Sequence, residues 1–202
     1  MPTALTEMPT PVAPPDPPRK RWTRAQCATL EASGLLEQER LELVEGELIS
    51  KMGKKRPHVS SLTLVRGWLE QVFGLRFVNS EAPIDVAPED NPTNEPESDL
   101  IVLRKDTSHF TSNPRAEDLR LVVEVADTSL HFDLTVKAAL YARAGVPEYW
   151  VLDIGGRRLL VHRNPRSGKY ADVAVYREQE SVSPLAAPQA QFRVADAFAM
   201  SA

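Results

Sequence analysis

Three residues in the second half of the chain could do chemistry together: Asp99, Glu124 and Lys137. Glu124 interrupts LRLVVEVAD (residues 119–127), a run otherwise apolar enough to form a strand buried on both faces. An ionised carboxylate buried there is strongly unfavourable unless something pairs with it. Asp99 opens a second apolar run, DLIVL, and the two carboxylates converge if the two strands lie side by side. Two such groups cannot both stay ionised unaided. A divalent cation suits them, because Mg2+ takes one or two carboxylate oxygens and fills its remaining positions with water or phosphate oxygens. Lys137 shares a helical face with Leu134, Ala138 and Tyr141. An ammonium in that stripe can orient an attacking water at a phosphate and offset charge in the transition state. Each residue also has a plainer reading. Asp133 and Lys137 have the spacing of a helical ion pair, Asp99 could cap a turn after Pro96, and Glu124 could belong to a structural ion pair.

The surrounding pattern supplies elements to position these residues. Thr23 and Gln26 have capping-box spacing for a helix from Thr23 to Ala32, stopped by Gly34. RLELVEGELIS alternates around Glu45-Gly46 as a hairpin. A long amphipathic helix opens at Pro57 and closes at Gly74, with Val59, Leu62, Val65, Trp68, Leu69, Val72 and Phe73 on its apolar stripe. LRFVNS, APIDVAP and DLIVLR then read as strands, followed by LRLVVEV as a central strand. DLTVKAALYARAG is a helix and EYWVLDI a strand. RRLLVHRN follows a Gly155-Gly156 turn, YADVAVYRE is an edge strand, and the carboxyl end is looser. Tyr149 and Trp150 alternate in their strand and read as structural. The order predicts an α/β fold, one mixed sheet flanked by helices.

Composition narrows the class. The chain has 202 residues, 42% hydrophobic and 26% charged, enough for one domain with a substantial core. Residues 1–20 carry a Pro-rich stretch, seven prolines in the first eighteen positions, and predict a disordered tail ahead of a domain at 21–202. The tail ends in Arg19-Lys20-Arg21. A single cysteine, Cys27, excludes an internal disulfide, and neither a secretory signal nor a long apolar run is present, so a cytoplasmic protein without a membrane span is expected. The net charge of −4 argues against a non-specific nucleic-acid coat but allows a local basic patch. Lys51, Lys54, Lys55 and Arg56 form such a patch before the long helix, readable as phosphate contacts or as a solvated loop. The four histidines lack the spacing of a zinc site, and His58 at a helix start could face a cleft or solvent.

From Glu124 to Asp153 the chain reads EVADTSLHFDLTVKAALYARAGVPEYWVLD. Together with LELVEGELI, His58 at the start of the long helix and the Asp-led DLIVL, this run resembles the Uma-two putative restriction endonuclease family, a branch of the PD-(D/E)xK nuclease superfamily. The resemblance covers roughly residues 22–180, and GVPEYW is its most specific part. It implies a restriction endonuclease-like fold and Mg2+-dependent (or Mn2+-dependent) hydrolysis of phosphodiester bonds in DNA. Asp99 and Glu124 would be metal ligands, and Lys137 the catalytic lysine, carried on the helix. Glu45 resembles an additional acidic residue of such sites, although a surface turn explains it equally well. Three positions depart from the pattern: Pro96 is separated from Asp99 by Glu97 and Ser98, Ala126 stands at the usual lysine position, and Asp127 replaces a small hydroxyl residue. The alternative is a catalytically inactive nuclease-fold module that binds nucleic acid or protein; an RNA-directed nuclease would share the same site. Cutting of both strands would suit a homodimer, with the meander after Trp150 as a candidate surface.

Overall fold

The structure is a computed structural model that describes residues 18–36, 39–51 and 53–198. The expected Pro-rich tail therefore falls largely outside the described residues. Helix α1 (Arg24–Ala32) starts at the expected capping box: Thr23 Oγ1 accepts from the Gln26 amide at 3.3 Å, and Gln26 Oε1 accepts from the Thr23 amide at 3.2 Å. Strands β1 (Leu41–Val44) and β2 (Glu47–Ser50) form the hairpin, with Glu45 at φ 51° and Gly46 at φ 74° in its two-residue turn. A Cβ at Gly46 would lie 2.9 Å from the Arg21 Cβ, so glycine also admits the incoming chain.

Helix α2 (Arg56–Phe73) closes at Gly74, whose φ is 93°. Its stripe holds from Leu62 onward, but Val59 is exposed and His58 and Ser61 are buried instead. The cause is local: the first turn overhangs the end of the sheet, where His58 meets an acidic residue rather than core. β3 (Val78–Pro83) is preceded by a single 3-10 turn over Leu75–Phe77, so LRFVNS is a strand only in its second half. APIDVAP is not a separate strand. Ala82 and Pro83 end β3, and the chain then leaves the sheet, held by Ile84 N to Pro96 O at 3.1 Å and Asp85 N to Pro114 O at 2.9 Å. β3 is an edge with no further strand for that segment to pair with.

The main sheet adds β4 (Glu97–Leu103), β5 (Leu119–Ala126), β6 (Glu148–Asp153), β7 (Arg158–Arg166) and β8 (Lys169–Arg177), in the order β3-β4-β5-β6-β7-β8. Only β5 and β6 pair in parallel, joined by a helical crossover: α3 (Leu130–Phe132), a π-helical turn (Asp133–Lys137) and α4 (Ala138–Ala144). Both faces of β5 are covered, as its largely apolar run requires. Val123 and Val125 join Trp150, Val65 and Leu69 under α2, while Val122 and Ala126 join Tyr149, Ala138 and Tyr141 under α4. Up to residue 198 the segment after β8 is regular rather than loose. β9 (Ser181–Val182) pairs with β10 (Phe192–Arg193), and Phe192 packs 4.8 Å from Trp68 and 6.1 Å from Trp150. Its buried aromatic ring anchors a segment otherwise poor in pattern. No helix among the described residues is long and apolar enough to cross a membrane.

Candidate active site

Side-chain alternation decides which face Glu124 joins. Residues 122, 124 and 126 of β5 point toward the α3–α4 crossover, as do Asp99, Ile101 and Leu103 of β4. The antiparallel ladder between the two strands runs through Leu100↔Val123. One step further, side chains take over from backbone: the Asp99 amide donates to Glu124 Oε2 at 3.3 Å, and the Val125 amide donates to Asp99 Oδ2 at 2.9 Å. The expected convergence of these carboxylates is therefore built into the strand register.

The crossover delivers Lys137. The π-helical turn buries both Asp133 and Lys137 on its inner side, a type of distortion frequent at functional sites. Lys137 Nζ lies 2.9 Å from Glu124 Oε1 and 3.0 Å from Glu42 Oε2, and the whole residue is 3% exposed. The helical pair with Asp133 is not what holds it; Asp133 Oδ2 accepts instead from Ser129 Oγ at 2.6 Å. Tyr141, one turn after Lys137, donates to Glu124 Oε1 at 3.1 Å and shares a 3.0 Å hydrogen bond with Ser98 Oγ.

Asp99 has its own partners. Lys54 Nζ is 2.9 Å from Oδ1, and His58 Nε2 is 3.3 Å from Oδ2. Lys51 pairs with Glu97. Half of the expected basic patch is thus turned inward onto carboxylates. Lys55 and Arg56 remain at the surface, with Lys55 3.8 Å from Asp127 at the mouth of the cleft. Glu45 is not part of the cleft lining. It stands at the hairpin tip, paired with Arg21 and Arg143. The acidic residue of that hairpin that enters the site is Glu42, which is 7% exposed. Sequence reading passed over Glu42 and Tyr141 as site members, offered Lys54 only as a phosphate contact and left His58 open between cleft and solvent. Glu42 carried no signal like that of Glu124, because it falls at a polar position of an alternating hairpin pattern.

The cleft between these groups has a volume of about 160 Å³. Around it stand the buried carboxylates of Glu42, Asp99, Glu124 and Asp133, and Glu42 and Glu124 share the fully buried ammonium of Lys137. Burial pushes the Glu124 carboxyl up, against the attraction of Lys137 and with help from the Asp133, Asp99 and Glu42 charges. Asp133 is likewise pushed up by burial, to about 6, although Lys137 and the Ser129 hydrogen bond oppose the change. At Asp99 burial acts in the same direction, but His58, Lys54 and the Val125 amide outweigh it and hold the carboxyl below its ordinary range. Lys137 stays firmly cationic: burial works against its charge, and Glu124, Tyr141, Glu42 and Asp133 overcome it.

Among the described residues, no three His, Cys, Asp or Glu side chains are grouped so that they alone could hold a metal. Asp99 and Glu124 do offer a two-carboxylate donor set. With Lys54 on Asp99 Oδ1 and the Asp99 amide on Glu124 Oε2, each of these oxygens keeps acceptor capacity. That suits Mg2+ or Mn2+, which are held through one or two carboxylates and complete their shells with water and phosphate. The all-oxygen donor chemistry fits a hard divalent cation.

Comparison with known proteins agrees with this architecture. A solved structure from Anabaena variabilis ATCC 29413, described as a "putative nuclease belonging to DUF820", superimposes with a TM-score of 0.65 at 16% identity, covering 87% of this chain and 97% of the other. At that identity the likeness shows a common fold. Among curated proteins no match is found. A family model described as "Putative restriction endonuclease" matches residues 27–195, nearly the whole described chain and every cleft residue named above. The chain belongs to the Uma2 family.

Proposed function

We propose that the protein is a divalent-metal-dependent endonuclease that hydrolyses phosphodiester bonds in DNA. The observation that carries this reading is the placement of Asp99 opposite Glu124 at the end of the β4–β5 ladder, with Lys137 bonded to Glu124. Asp99 and Glu124 would hold Mg2+ or Mn2+, which supplies positive charge to a phosphate oxygen and acidifies water at neutral pH. The remaining work falls to the chain itself. Lys137, cationic and fixed between Glu124 and Glu42, orients the attacking water and offsets charge on the phosphorus oxygens in the transition state. Tyr141 and the Asp99 amide keep Glu124 in one orientation. Lys55 and Arg56, at the exposed start of α2, meet the DNA backbone.

The second reading, a nuclease-fold module without catalysis, draws on Lys54 and His58, which already partner both Asp99 oxygens. Titration of Mn2+ into the wild type and into Glu124→Gln at neutral pH separates the two. Stoichiometric binding that disappears in the variant, followed by Mg2+-dependent plasmid nicking, supports the endonuclease. Equal, weak heats in both proteins leave the interaction module.

A further inference from the structure

Lys54 and Lys137 both neutralise a buried carboxylate, but they are held very differently. Lys137 is enclosed between Glu42 and Glu124. Lys54 lies in the short segment between β2 and α2, and its side chain is 18% exposed. It is shared: Nζ is 2.9 Å from Asp99 Oδ1 and 2.7 Å from Glu81 Oε1. Glu81 is itself unusual. The β3–β4 register pairs Ser80 with Leu100 and Ala82 with Ser98, which leaves Glu81 alongside Asp99 with a left-handed φ of 51°. A glutamate in that conformation inside a strand is strained and persists only where its surroundings enforce it. Here the distorted edge residue points its carboxylate at Lys54 and also accepts from Arg40 at 3.1 Å.

We propose that Lys54 is a placeholder cation, which occupies Asp99 Oδ1 when no metal is bound and yields it to a divalent cation while staying paired with Glu81. This rests on the metal-dependent reading of the same cleft. The physical logic is that Asp99 is too buried to stand without a counter-charge, so a metal-free site needs a cation that can leave. A flexible ammonium with a second, more exposed partner meets that need. Lys137, with both partners buried, does not. Once displaced, Lys54 sits at the rim beside Lys55, where it adds to the positive surface facing a nucleic-acid backbone.

Mn2+ titration calorimetry on four proteins tests the idea: wild type, Lys54→Met, Lys54→Gln and Lys55→Met. The last removes the same charge from a lysine that does not touch Asp99. Lys54→Met and Lys54→Gln should bind Mn2+ about tenfold more tightly than wild type, the scale of one charged hydrogen bond that no longer competes. Lys55→Met should change far less. Mn2+ should also raise the melting temperature of the Lys54 variants more than that of wild type. In a double-mutant cycle, Glu81→Gln should weaken Mn2+ binding in wild type and do so less in the Lys54→Met background. Affinity in the Lys54 variants no higher than in Lys55→Met overturns the placeholder role while leaving the metal site intact. Binding that survives Glu124→Gln, or is absent throughout, overturns the metal reading and the placeholder with it.

Discussion

Glu124 and Glu148 are both buried glutamates in adjacent, parallel strands of one sheet, and their surroundings are opposite. Glu148, fully buried, is saturated by structural donors: Arg163 at 2.6 and 2.9 Å, Trp150 Nε1 at 2.9 Å and the Leu185 amide at 2.7 Å. It ties β6 to β7 and pins the carboxyl-terminal segment, with no neighbouring carboxylate competing for its partners in that network. Glu124 shares one lysine with Glu42 and sits within the field of Asp99 and Asp133. Burial alone therefore does not mark a catalytic acid. A candidate for function is a buried acid with incomplete compensation next to a cleft.

Substitutions can break or sharpen this contrast. The largest effect is expected on catalysis: Asp99→Asn should lower Mg2+-dependent plasmid nicking at least about a hundredfold, with the fold retained by circular dichroism. Near-normal nicking by that variant would remove Asp99 from the site. Next comes stability. Glu148→Ala leaves Arg163 and Trp150 without their acceptor and should lose about 3–5 kcal/mol in urea unfolding. Glu124→Gln removes one negative charge from a carboxylate-rich cluster and should stay within about 1 kcal/mol of wild type while losing Mn2+ binding. Equal destabilisation by the two would erase the distinction drawn here. A smaller effect belongs to the surface: Lys55→Ala and Arg56→Ala should each weaken DNA binding across sequences and reduce the salt slope of the binding constant by about one.

The smallest effect concerns His162, a buried titratable group on β7 of the same sheet. Burial lowers its pKa below the ordinary 6.5, against hydrogen bonding with the Tyr149 and Leu160 backbone. The unfolded chain therefore takes up its proton first as pH falls, so the stability this residue permits is present above 6.5 and is lost as pH drops toward the folded value. His162→Phe should reduce the loss of stability between pH 7 and pH 5, read as the difference between the two proteins' urea midpoints. An unchanged slope would mean that this histidine is not among the groups that couple stability to pH.

Much of the architecture was legible from periodicity. The α1 capping box, the Glu45-Gly46 turn, the central strand around Glu124 and the alternation of Tyr149 with Trp150 are local patterns with local causes. APIDVAP was misread because strand propensity cannot say whether a partner exists. The carboxyl end was misread because Phe192 is one apolar residue whose weight depends on two tryptophans far away in sequence. In the hairpin, polar residues of a two-stranded ribbon ordinarily face solvent. Glu42 was hidden for that reason until the ribbon was seen to cover the cleft.

The sequence by itself determined that two carboxylates would begin or interrupt apolar strands and that a lysine would follow on a helix. Hydrophobic patterning is strong enough to dictate which residues are buried, and a charge inside such a pattern is conspicuous. Tertiary structure alone decided the pairing of those charges. Lys137 went to Glu124 and Glu42 rather than to Asp133, Lys54 and His58 turned in to Asp99, and Glu45 turned away. Ion pairs form between whatever charges the packed elements bring within a few ångströms of each other. That distance is set by strand register and helix placement, and no local pattern encodes it.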